Sequence, residues 1–102
     1  MTGTPKTRSD LLCDLRSVRD KVAHDFGIDI FGLGGSQASG TARYDSDIDI
    51  AVRKLRPIHL GVVLDAKFWL EEKFNHQVDL VFVDSLPEYK REIFSKSIVS
   101  LL

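Results

Sequence analysis

Apolar residues near the start of the chain recur at helical spacing. Leu11, Leu15, Val18 and Val22 share one face, with Ser9 or Asp10 available as N-cap, so the pattern predicts an amphipathic helix over about 10–25 that Gly27 ends. The period then shortens. Ile28 to Leu33 reads as a first strand running into a glycine turn, and 47–53 as a second, with Ile48, Ile50 and Val52 on one face and Arg56-Pro57 as its breaker. Leu60, Val63, Leu64, Leu70 and Phe74 suggest a second long helix from about Leu60 to Phe74, weakened in its first turn by Gly61. The unbroken run Val78-Asp79-Leu80-Val81-Phe82-Val83 reads as a buried third strand. Ser85 and Glu88 have capping-box spacing around Pro87, ahead of a helix through about Lys96 carrying Tyr89, Ile93 and Phe94. The apolar tail Ile98-Val99-Ser100-Leu101-Leu102 suits a short edge strand or a partner contact. This order predicts an α/β (α+β) fold: one domain over 1–102, a small mixed β-sheet flanked by helices, with one face left open as a cleft.

Composition narrows the classes. Fourteen Lys and Arg against fifteen Asp and Glu give a net charge of −1, which argues against holding nucleic acid by bulk electrostatics. The single cysteine, Cys13, excludes an internal disulfide and suits a reducing compartment. No apolar run is long enough to span a bilayer, and Met1 to Lys6 lacks the core of a signal peptide, so no membrane role and a cytoplasmic location are expected.

The chemistry concentrates between Gly34 and Val52. Strand alternation points Asp47 and Asp49 to one side, with Cβ atoms about 6–7 Å apart. Carboxylates this close repel unless a cation compensates, and magnesium, typically held by one or two carboxylates together with substrate phosphates, fits that need. Upstream, Gly34, Gly35 and Gly40 free the backbone for its N–H groups to converge on a phosphate, and Ser36 adds a hydroxyl. Asp79 is the anomaly in its apolar strand. An acid there either sits at an edge with water or an arginine, or joins Asp47 and Asp49 around a metal.

Together, Gly35-Ser36, Asp47-Ile48-Asp49 and Val78-Asp79-Leu80-Val81 resemble the Gly-Ser, Asp-x-Asp and distal Asp signature of the DNA polymerase β-like nucleotidyltransferases. Within that superfamily the chain is most similar to the minimal nucleotidyltransferases of MNT or MntA type. The resemblance runs over nearly the whole chain and implies the polymerase β-like palm fold. It also implies transfer of AMP from ATP to an acceptor hydroxyl, with two Mg2+ ions. Asp47 and Asp49 match the ligands of both ions, and Asp79 the third catalytic carboxylate. Gly35 and Ser36 match positions that hold the triphosphate. Known MntA-type members are antitoxins of HEPN-domain (HepT-like) toxins, and some add AMP to a tyrosine of the toxin. A hetero-oligomer with such a toxin is therefore the implied assembly. The alternative is a nucleotide-binding antitoxin that acts by occlusion without catalysis. A small-molecule nucleotidyltransferase of the aminoglycoside-modifying kind usually needs a further domain to hold the acceptor, and the shortness of the chain counts against it.

The chain departs from the family pattern in one place. Many relatives carry arginine just after Gly-Ser, where this chain has Gln37 and Ser39; Arg43 either takes over part of that role as a nucleotide-binding residue or is simply solvated. Other residues have simpler readings. His24, His59 and His76 lack zinc-site spacing and are expected at the surface, and Cys13 is expected to pack. Trp69 and Phe68 are expected to fill core or interface volume, Tyr44 to cover its loop or flank the adenine, and Lys90-Arg91 to form a solvated face or meet a partner.

Overall fold

The computed structural model describes residues 8–34 and 48–101. The elements are α1 (Arg8–Phe26), β1 (Ile28–Gly34), β2 (Ile48–Lys54), α2 (Leu60–Phe74), β3 (Val78–Phe82), a 3-10 turn (Val83–Ser85), α3 (Glu88–Ser97) and β4 (Val99–Ser100). Each expected element is present, and the tail adds the edge strand. The four strands lie in the order β3-β2-β1-β4. β1 pairs antiparallel with β2 and β4, whereas β2 and β3 are parallel and joined through α2.

The core forms on one face of the sheet. Leu11, Leu15, Val18 and Val22 of α1 and Ala66, Leu70 and Phe74 of α2 close over Ile28, Ile30, Leu33, Ile48, Ile50, Val52 and Val78. Strict alternation along β1 would bury Gly32 in line with Ile28 and Ile30 and turn Leu33 outward. Instead the β1–β2 register shifts between Ile30 and Gly32. Phe31 is thus the extra residue of a bulge, which flips the alternation, buries Leu33 in the core and turns Gly34 to the opposite face.

Local chemistry fixes the element ends. Gly27 stops α1 at φ +70, the left-handed region, and the Arg56 guanidinium closes over it, donating to the His24 carbonyl at 3.3 Å. Asn75 ends α2 in the same region, at φ 51. Glu71 then ties α2 to β3: its carboxylate accepts from Lys67 Nζ at 2.8 Å and from the Val78 backbone N–H at 3.1 Å, and these bonds hold its pKa below the ordinary value. The tail is tied back as Arg16 Nε donates to the Leu101 carbonyl at 2.8 Å.

Four expectations need correction. Cys13 is exposed, because it stands two positions from Leu11 and about 200° around the helix from the core stripe. The buried stripe of α2 is Ala66, Leu70 and Phe74, so Leu60 (73% exposed), Leu64 and Phe68 (57% exposed) line the opposite side; Phe68 fills no core volume, whereas Trp69, half-buried, packs against the core as expected. The capping box at Ser85 does not form. Ser85 belongs to the 3-10 turn closed by Leu86 N–H to the Val83 carbonyl, and α3 starts from Pro87 without a side-chain cap. Finally, β3 is an edge strand: Val78 is buried, Leu80 to Phe82 are half-buried, and Asp79 is exposed.

Candidate active site

A buried strand acid does exist, but it is Asp29 (7% exposed). Its two oxygens accept from Arg19 Nη2 at 3.0 Å and Arg53 Nε at 2.8 Å, so it pins α1 and β2 to β1 as a neutralised structural anchor. Asp79 therefore does not meet water by accident of burial. Its position comes from strand register.

Three residues form one row across the sheet. Gly34 pairs with Asp49 across the antiparallel β1–β2 ladder, and Asp49 pairs with Asp79 across the parallel β2–β3 ladder. With Ile48 and Ile50 turned into the core, Asp49 points to the other face, and Val78 and Leu80 flanking Asp79 do the same for β3. Neighbouring strands lie about 4.8 Å apart, so the two carboxylates stand side by side. Asp49 is half-buried and Asp79 exposed.

The helix α3 roofs this row. The Phe94 ring lies where a Cβ on Gly34 would be, so a bare glycine is what allows the helix to sit down. Between roof and sheet lies a cleft of about 330 Å³. Asp49 and Asp79 occupy one side, Lys90 and Ser97 reach it from α3, and Val81, Leu86, Ile93 and Phe94 supply an apolar wall. An acidic pair backed by an apolar surface and open to solvent suits a hydrated divalent cation that shares its shell with an anionic ligand. The donor set is all oxygen, which matches magnesium and leaves coordination positions for phosphate and water.

Of the sequence-identified residues, Asp49 and Asp79 come together. Asp47, Gly35, Ser36 and Arg43 lie outside the described residues, as do Tyr44, Gln37 and Ser39. The described residues contain no cluster of three metal-binding side chains. His24 and His59 are exposed and His76 is half-buried. Sequence reasoning missed Lys90 and Phe94 as site residues, and it placed Gly34 in a phosphate-binding turn where the structure has it as the last residue of β1 beneath Phe94. Lys90 reads as a solvated helix position until β3 and α3 are seen to share one cleft, and nothing in the local pattern pairs Phe94 with Gly34.

The fold is that of the nucleotidyltransferases. The profile of the family "Polymerase beta, Nucleotidyltransferase" matches residues 17–100, and the chain belongs to that family. Among solved structures, one whose own assignment as a minimal nucleotidyltransferase is provisional superposes with a TM-score of 0.79 at 27% identity, over 95% of this chain and 98% of that one. A toxin-antitoxin crystal structure with AMP-PNP gives a TM-score of 0.68 at 22% identity, covering 95% of this chain and 73% of the other. A mutant MntA-HpeT toxin-antitoxin, with two aspartates replaced by glutamates, gives 0.64 at 18% identity over 95% and 73%. The latter two show the shared fold. No curated protein matches the chain.

Proposed function

We propose that the chain is a metal-dependent adenylyltransferase that moves AMP from ATP to a hydroxyl of a partner protein, the leading acceptor being a tyrosine of a HEPN-type toxin that it neutralises. The observation that carries this reading is the register of Asp49 and Asp79 on adjacent parallel strands, opening into one cleft. A protein that only binds a partner has no physical need for two like charges held together. The toxin-antitoxin structures with the same fold, one of them with AMP-PNP, support the choice of nucleotide and partner.

In this reading Asp47, Asp49 and Asp79 are the metal ligands, with Asp47 next to β2 in the chain. Two Mg2+ ions bound there would supply charge stabilisation for the attacking and leaving oxygens of an in-line displacement. The chain's own residues do the rest. Asp79, exposed at the edge of the row, accepts the proton of the entering hydroxyl in this reading. The backbone amides of Gly35 and Ser36 and the Ser36 hydroxyl hold triphosphate oxygens, with Arg43 as a further cation of that loop. The wall of Val81, Leu86, Ile93 and Phe94 excludes water from one side of the reacting groups. ATP binds as substrate and pyrophosphate leaves.

Gln37 and Ser39, at positions where many relatives carry arginine, favour a second reading: the fold and nucleotide kept, with neutralisation by occlusion alone. Incubating the protein with its HEPN partner, ATP and magnesium, then weighing the products, separates the two. AMP added to the partner by the wild type and not by Asp47→Asn/Asp49→Asn supports transfer. Full neutralisation of an unmodified partner supports occlusion.

A further inference from the structure

The α3 face of the cleft carries a charge that the carboxylate row leaves unused. Lys90 lines the same cleft as Asp49 and Asp79, and it enters no ion pair among the described residues, although Lys21, Lys67, Arg19 and Arg53 all do. Its neighbours along α3 lie elsewhere. Arg91 and Lys96, which likewise enter no ion pair among the described residues, line a separate outer hollow of the same helix with Glu88, Glu92 and Ser95. Lys90 is the one cation among the described residues that line this cleft, one turn before Phe94, and Phe94 is anchored over Gly34 at the end of the row. Lys90 is therefore brought to the cleft by its place on the helix, with no ion pair among the described residues to hold its side chain. The segment 35–47 contains just one cation, Arg43, and a triphosphate is a highly charged anion.

We propose that Lys90 is a phosphate-binding residue, its ammonium donating to phosphoryl oxygens of a nucleoside triphosphate bound in the cleft that it shares with Asp49 and Asp79. This rests on the nucleotidyltransferase reading and adds to it a cation that the family motifs do not contain. A lysine here acts as a point charge on a flexible stem, suited to an anion whose position is set by other groups. While the cleft holds no anion the ammonium is solvated; when the triphosphate enters, it supplies part of the positive charge that the loop after Gly35-Ser36 lacks.

The test is equilibrium binding by calorimetry, with non-hydrolysable ATP analogue and adenosine as probes, in magnesium, on the folded full chain. Lys90→Gln is expected to weaken the triphosphate about tenfold and leave adenosine unchanged, whereas Lys90→Arg retains most of the affinity. Lys96→Gln removes the same charge from the outer face of α3 and is expected to bind as the wild type does. The salt dependence of triphosphate affinity should also be shallower in Lys90→Gln, and the same slope in Lys90→Met, which removes the charge and keeps the stem, serves as the second readout if the glutamine variant fails to fold. Equal triphosphate affinity in Lys90→Gln and wild type overturns the proposal while leaving the transferase reading standing. Equal losses in Lys90→Gln and Lys96→Gln overturn it too, because they show a diffuse field and no contact. A wild type that binds no triphosphate overturns the underlying reading and this proposal with it.

Discussion

Asp49 and Asp79 share a row because β2 and β3 run parallel and in register, and Gly34 completes the row because a bulge at Phe31 turns it to the same face. Gly34 is the most exacting position in it. A methyl group there collides with the Phe94 ring, so Gly34→Ala must lift α3 or reorient the ring. It is expected to destabilise the fold by about 1–3 kcal/mol, and, because α3 roofs the cleft, to weaken nucleotide binding as well. Chemical denaturation with parallel binding measurements checks this; a variant as stable as wild type with unchanged affinity would show that α3 does not depend on the contact. The direction of Asp49 was legible from alternation with Ile48 and Ile50. The nearness of Asp79 was not, since spacing along a sequence carries no information about which strands lie side by side; only the family resemblance supplied it. The expected burial of Asp79 failed for the same reason, an edge strand having one flank with no neighbour.

Among the elements, α1 was the most legible, because Leu11, Leu15, Val18 and Val22 repeat cleanly and Gly27 provides a left-handed stop. The limits of α2 were also read correctly, but its face was not. Leu60 and Leu64 are as apolar as Leu70, and only the docking of the helix on the sheet decides that Ala66, Leu70 and Phe74 go inward. What locks α2 to β3 is polar. Glu71 accepts from both Lys67 and the Val78 N–H, which holds its pKa below the ordinary 4.5 in the folded state. A depressed acid contributes stability above its unfolded pKa and loses it as pH falls through the folded one. Glu71→Gln is thus expected to be less stable than wild type at neutral pH by about 0.5–1 kcal/mol, with the gap closing as pH drops below 4.5. Thermal melts across that range test it, and a gap independent of pH would assign the loss to packing. α3 was the hardest element to read. None of its residues is buried, and its place is set by Phe94 at the sheet and by the 3-10 turn that displaces Ser85 from the cap.

At the scale of the whole molecule, the polymerase β nucleotidyltransferase fold places its core on one sheet face and the cleft of Asp49 and Asp79 on the other. No described helix is long and apolar enough to cross a membrane. The alternation of helices and strands was enough to anticipate a mixed sheet with an open face, while strand order, the bulge and the roof over the row needed the folded chain. The proposed function depends on that row acting as one unit, and the rate of AMP transfer to the partner, followed by intact mass, tests it most directly. Asp79→Asn is expected to slow transfer at least about a hundredfold with the fold retained, while Asp84→Asn, an equal change of charge on the neighbouring 3-10 turn, leaves it near wild type. Transfer by Asp79→Asn at the wild-type rate would contradict the carboxylate row as the reacting centre.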